Sequence, residues 1–83
     1  MRIHLKINEA MRAYNRNNPS EKMNQAKLAD LLFAGEQVAE QSRLVYLSQW
    51  QNGKRMERCR LEYAIRISNI LNVSLSELLE INT

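Results

Sequence analysis

The stretch from Leu47 to Arg55 constrains the fold more than any other segment of the chain. Leu47 and Trp50 are apolar at i and i+3, a spacing that puts both side chains on one face of a helix. Val45, Gln49 and Asn52 fall at i, i+4 and i+7 and line a different face. Gly53 stands where that helix must stop, and the cations Lys54 and Arg55 follow at once. The segment therefore has one greasy side to bury and one amide-bearing side to display.

The rest of the chain supplies helices for this one to pack against. It has one Pro and two Gly among 83 residues, and few aromatics, a composition that favours helices over strands. Ile3, Ile7, Ala10, Met11 and Tyr14 recur every three to four residues and predict a first helix from about Leu5 to Arg16. The run Asn15–Ser20, with Pro19 inside it, ends that helix. Asn24 is a good N-cap for a second helix, whose apolar stripe is Met23, Leu28, Leu31 and Leu32 and whose stop is Gly35. Residues 36–42 read equally as a helical turn or an ordered loop. Ser42 then caps a third helix over Arg43–Gln51, and a fourth spans about Arg58–Leu71 with Leu61, Ala64, Ile65, Ser68 and Leu71 inward and Ile67 and Ile70 widening that stripe. Ser74-Leu75-Ser76-Glu77 has the form of a capping box, with Val73 and Leu78 spaced as a hydrophobic staple, so a fifth short helix runs to about Glu80. The expected fold class is all-α: one domain over residues 1–83, a compact bundle of about five short helices.

Charge narrows the partners. The formal net charge is +3, but residues 1–29 carry six basic and two acidic groups, and residues 30–42 carry only Asp30, Glu36 and Glu40. Residues 43–66 are basic again, with Arg43, Lys54, Arg55, Arg58, Arg60 and Arg66 against Glu57 and Glu62. Such patterning suits a polyanion, although charge of this size is also common in proteins that bind none. The single cysteine, Cys59, has no partner for an internal disulfide, and neither it nor the lone His4 has neighbours at metal-ligand spacing. No Ser/His/Asp or Cys/His arrangement and no Gly-rich phosphate loop is present, so neither catalysis nor a cofactor is expected. Asp30, Glu36 and Glu40 read as a solvated acidic loop. The absence of a signal peptide and of a long apolar run predicts a soluble, cytoplasmic chain without membrane contact.

The side-chain chemistry points to nucleic acid. Gln and Asn pair bidentately with adenine or bond phosphate oxygens, so a helix ending in Gln49, Gln51 and Asn52 before two cations is built to meet a duplex. In chain order, Asn24-Gln25-Ala26-Lys27-Leu28-Ala29, then Leu47-Ser48-Gln49-Trp50-Gln51-Asn52-Gly53-Lys54, then Leu61 through Leu79, the sequence resembles the phage-repressor (Cro/XRE-type) helix-turn-helix family over about residues 5–81. The resemblance implies a lambda-repressor-like helix-turn-helix fold and a sequence-specific, DNA-binding transcriptional regulator, acting as a repressor and as a homodimer on double-stranded DNA. It implies phosphate contacts from Gln25, Asn52, Lys54 and Arg55, and base readout from Arg43, Val45, Tyr46 and Gln49. Leu44 and Val45 are apolar among the readers: Val45 suits a thymine methyl, whereas Leu44, three positions before Leu47, reads alternatively as core, which would rest base readout on Arg43, Tyr46 and Gln49. Leu28-Ala29 and Gly53 are separated by residues 30–52, more than the family's usual spacing, so the turn between helices 2 and 3 is expected to be lengthened around Ala34–Ser42.

Two other readings fit the same residues. One is an antitoxin that regulates its own promoter and covers a toxin, a protein partner ranked lower because no long extended tail is visible. The other is a helical adaptor that binds a protein through the same surface. Trp50 and the tyrosines have the faces to stack on unpaired bases, but Trp50 is expected in the core.

Overall fold

Local signals set the helix boundaries. The computed structural model describes residues 2–82. Strand β1 (Arg2–Leu5) leads into helix α1 (Ile7–Asn17), then α2 (Gln25–Leu32), α3 (Glu40–Gln51), a single 3₁₀ turn (Met56–Arg58), α4 (Leu61–Ile70), the one-turn α5 (Leu75–Leu78) and strand β2 (Leu79–Asn82). The Asn24 side chain accepts the Lys27 amide at 2.8 Å and starts α2 as its cap. At α5 the Ser74 hydroxyl takes both roles, accepting the Glu77 amide at 3.2 Å and donating to its carboxylate at 2.9 Å. Val73 and Leu78 both reach the core, as the staple spacing predicts.

Helix α3 closes in a Schellman motif. The Lys54 amide donates to Gln49 O and the Gly53 amide to Trp50 O, which needs a left-handed residue at Gly53, where φ is 72°. Helix α4 ends the same way, with Asn72 left-handed and the Val73 amide on Ser68 O.

The domain is mostly helical, but the all-α expectation needs correction at both ends of the chain. β1 and β2 form a two-stranded antiparallel sheet with Ile3 opposite Ile81, His4 opposite Glu80 and Leu5 opposite Leu79. Leu5 therefore lies in a strand rather than opening α1, and the fifth helix stops at Leu78 instead of Glu80. Alternation explains the sheet: Leu5 is fully buried, whereas His4 and Glu80 share the other face and meet at 3.0 Å. The Lys6 amide bonds Leu78 O and continues the zip into α1.

Gly53 also packs against this sheet. A Cβ placed there would sit 3.1 Å from Ile3 O and 3.3 Å from His4 Cβ, so only glycine lets α3 end flush against β1. Beneath it, Leu5, Ile7, Leu28, Leu32, Phe33, Leu47, Trp50, Ile67, Leu71 and Leu78 are fully buried. Trp50 is the hub, with ring centroids 5.9 Å from Tyr46, 5.8 Å from Tyr63 and 6.2 Å from Phe33. Aromatic pairs of this kind add about 0.5–1.5 kcal/mol each beyond the area they bury.

Three further expectations are overturned by tertiary packing. Helix α3 begins at Glu40, with Ala39 in the cap position, so Ser42 lies within the first turn and caps nothing. Leu61 (67 % exposed) and Ile65 face outward while Tyr63, Ala64, Ile67 and Ser68 face in, because Tyr63 is drawn to Trp50 and turns α4. Leu31 is likewise outward, leaving Leu28, Ala29 and Leu32 as the inner side of α2. The segment between Leu32 and Glu40 is an ordered loop held from two sides. Arg66 donates to Leu32 O and Glu36, both at 3.3 Å, and Arg43 Nε donates to Val38 O at 2.9 Å.

Trp50→Ala is expected to destabilise the domain by about 3–5 kcal/mol in urea unfolding, since the indole is wholly enclosed. Gly53→Ala and Gly35→Ala both force alanine into left-handed backbone, at about 1–2 kcal/mol each. Only Gly53 also meets backbone atoms, so its variant should be the less stable of the two, by a clear drop in urea midpoint.

Candidate nucleic-acid interface

Burial of Leu47 and Trp50 fixes which side of α3 is displayed. With those two wholly enclosed, Gln41, Leu44, Val45, Ser48 and Asn52 fall along the opposite side and are exposed, Leu44 at 42 % and Val45 at 50 %. Gln41 and Ser48 belong to this face and were not among the residues expected from sequence. The signal for Gln41 was Glu40, an acidic residue suited to a first helical turn, one position before it.

The eight residues singled out by sequence sit in unlike surroundings. Val45 is on the displayed face. Tyr46 is half-buried, its ring stacked on Trp50 at 15° and 6.1 Å from Phe33. Arg43 is turned back onto the loop, with Nη1 3.5 Å from Asp30 Oδ1 besides its bond to Val38 O, and its side chain is 21 % exposed. Gln49 is half-buried, with Oε1 shut away from solvent and lacking a hydrogen-bond partner among the described residues. Of the four expected readers, Val45 is thus the one most open to a ligand, because the others are held by the core or by the loop.

Among the expected phosphate-binding residues, Lys54 is exposed and has no ion-pair partner among the described residues. Arg55 is exposed beside Glu57 at 3.8 Å, a separation at which two solvated groups gain little. Asn52 is exposed and its amide donates to Ser48 O at 2.9 Å, which spends one of its donors on finishing α3. Gln25, the first residue of α2, is half-buried and donates to Asn8 Oδ1 at 3.3 Å. Asn8 in turn donates its backbone amide to Gln51 Oε1 at 2.8 Å. Gln51 thereby supplies the missing cap of α1, and the starts of α1 and α2 meet the end of α3 at one corner of the molecule. That corner was invisible in sequence because its bonds join residues 17 and 43 positions apart.

Acidic groups border the other end of α3. A cleft of about 200 Å³ between α2 and α3 is lined by Ala26, Ala29, Asp30, Glu40, Arg43 and Leu44, with Arg43 paired to Asp30. The displayed side of α3 is otherwise neutral. Its chemistry is hydrogen bonding from Gln41, Ser48 and Asn52, and methyl contact from Leu44 and Val45, the two kinds of contact that base edges accept.

No group of three or more His, Cys, Asp or Glu side chains converges among the described residues. No described helix is long and apolar enough to cross a membrane. Burial pushes the Cys59 thiol up from 9.0 to about 11, which keeps it protonated at neutral pH. Alkylation of Cys59 by iodoacetamide in the folded protein is therefore expected to stay slow through pH 9 and to rise towards pH 11. A rate already at half its plateau near pH 9 would show an unperturbed thiol. Set against protein-family models, characterised proteins and solved structures, the chain matches none of them.

Proposed function

We propose that the chain is a sequence-specific DNA-binding regulator of the helix-turn-helix kind, with α2 and α3 as its paired helices and α3 entering the major groove. The observation that carries this reading is the orientation of α3. Its apolar anchors Leu47 and Trp50 are enclosed, and a continuous side from Gln41 to Asn52 is left open, next to the exposed cations Lys54 and Arg55. An α-helix fits the major groove of B-DNA, and a side bearing amides, a hydroxyl and methyls suits base edges. Lys54, Arg55 and Asn52 then fix the register on one strand, while Gln25 and the free amides of the α2 start meet the other. One such module neutralises few phosphates, so action as a homodimer on a two-fold related site follows as the economical form, and the role of repressor is what the family resemblance adds.

The division of labour on α3 differs from what the resemblance alone implies. Base readout rests on Val45 with Gln41 and Ser48. Arg43 and Tyr46 support the helix from behind. A second reading, an adaptor that docks a protein on the same side, is favoured by the exposure of Leu44 and Val45 together.

Gel-shift titration against genomic fragments at several salt concentrations separates the two readings. A regulator gives discrete shifted sequences whose affinity falls steeply with salt, and an adaptor gives none even at low salt. Within the first outcome, Val45→Ser is expected to change the preferred base at one position by about 1–3 kcal/mol, and Lys54→Ala to weaken all sequences alike. Equal losses on every duplex from both variants would mean that α3 does not read bases.

A further inference from the structure

The cations of the chain are not equally available. In the C-terminal half, Arg43 is paired with Asp30, Arg55 with Glu57, Arg60 with Glu62, and Arg66 with both Glu36 and Glu62, which leaves Lys54 and Arg58 as its cations without a partner among the described residues. Arg12, Arg16 and Lys22 have no ion-pair partner among the described residues, and all three are exposed. They converge. An open groove of about 570 Å³ runs between α1 and the segment that follows it, lined by Glu9, Arg12, Asn15, Arg16 and Lys22.

We infer that this groove is a second backbone site, in which Arg12, Arg16 and Lys22 grip phosphates of a DNA strand beside the contacts made from the start of α2. Three observations support it besides charge. First, the groove is a fixed shape: Asn15 donates to Met23 O and accepts the Met23 amide, clamping the returning segment along α1. Secondly, it is continuous with the α2 start. Lys27 Nζ donates to Lys22 O at 3.2 Å, and Gln25 donates to Asn8 one turn before Arg12 on α1. Thirdly, Arg12 and Arg16 are four residues apart on one helix, so their side chains leave it roughly 5–6 Å apart. Two flexible guanidiniums at that separation can take neighbouring phosphates of one strand, each bidentately. A duplex strand carries such charges in unbroken succession, which an acidic protein surface does not.

The site deepens the DNA-binding reading and rests on it. It also explains Glu9, the one carboxylate in the groove, as a brake on affinity. The test compares wild type, the double variant Arg12→Gln/Arg16→Gln, and Glu9→Gln on one mixed-sequence duplex across roughly 50 to 200 mM salt. Circular dichroism checks that each folds; all three positions are exposed, and glutamine is a good helix former. The double variant is expected to bind more weakly and to show a log–log salt slope shallower by about 2, while Glu9→Gln binds more tightly. A wild type that binds with unchanged affinity and slope in the double variant overturns the groove alone. A wild type that binds no duplex at the lowest salt overturns both the groove and the DNA-binding reading. Retained duplex binding with double-variant loss only on an acidic polypeptide would assign the groove to a protein instead.

Discussion

Enclosure of the Trp50 indole is the contact on which the remaining structure leans. It lies among Phe33 at the end of α2, Tyr46 on its own helix and Tyr63 on α4, so a single ring sets the relation of three helices. Turning Trp50 inward also turns Gln41, Leu44, Val45 and Ser48 outward, because a helix is rigid about its axis. The same packing draws Tyr63 in and rolls Leu61 and Ile65 to the surface. Core and candidate interface are thus two sides of one geometric choice. Trp50 Nε1 has no hydrogen-bond partner among the described residues, so packing rather than polar bonding holds the ring.

Ion pairing divides the surface in two. Around the 33–39 loop and along α4, arginines and carboxylates meet each other, and Arg43 and Arg66 draw the connection between α2 and α3 onto the body of the molecule. Around α1 and the segment before α2, the cations remain unspent. Net charge alone does not distinguish these two regions, since residues 1–29 and 43–66 are equally basic in sequence. Their partners do: four arginines of the second stretch are paired, and Lys54 and Arg58 are its cations without an ion-pair partner among the described residues.

What could be read from sequence follows from how far apart the interacting residues lie. Asn24, Gly53 and Ser74 act on atoms within five positions, and each was legible as a cap or a stop. The enclosure of Leu47 and Trp50 was legible too, because a Trp at i+3 from a Leu beside polar neighbours leaves one greasy face. The terminal sheet was not: four residues of alternation at Arg2–Leu5 mean little until a second strand some seventy-five positions later is known to lie beside it. Helix α4 has Leu61, Tyr63, Ala64, Ile65, Ile67, Ile70 and Leu71 on nearly every side, so periodicity does not choose its inner face. For the candidate site, exposure of Val45 and Lys54 matched expectation. The engagement of Arg43 and Tyr46 depended on Val38, Asp30, Phe33 and Trp50, whose proximity no spacing rule reveals.

The pairing of β1 with β2 has a kinetic consequence. Its ladder joins the residues farthest apart in the chain, whereas the helices close through neighbours, so the sheet bears the largest loop-closure entropy in the molecule. Neither strand has a second strand to pair with once the other leaves. The amides that the ladder pairs therefore lose their partners together and exchange at a common rate when it opens, while buried Leu5 and the contact at Gly53 keep β1 tied to the core and to the end of α3.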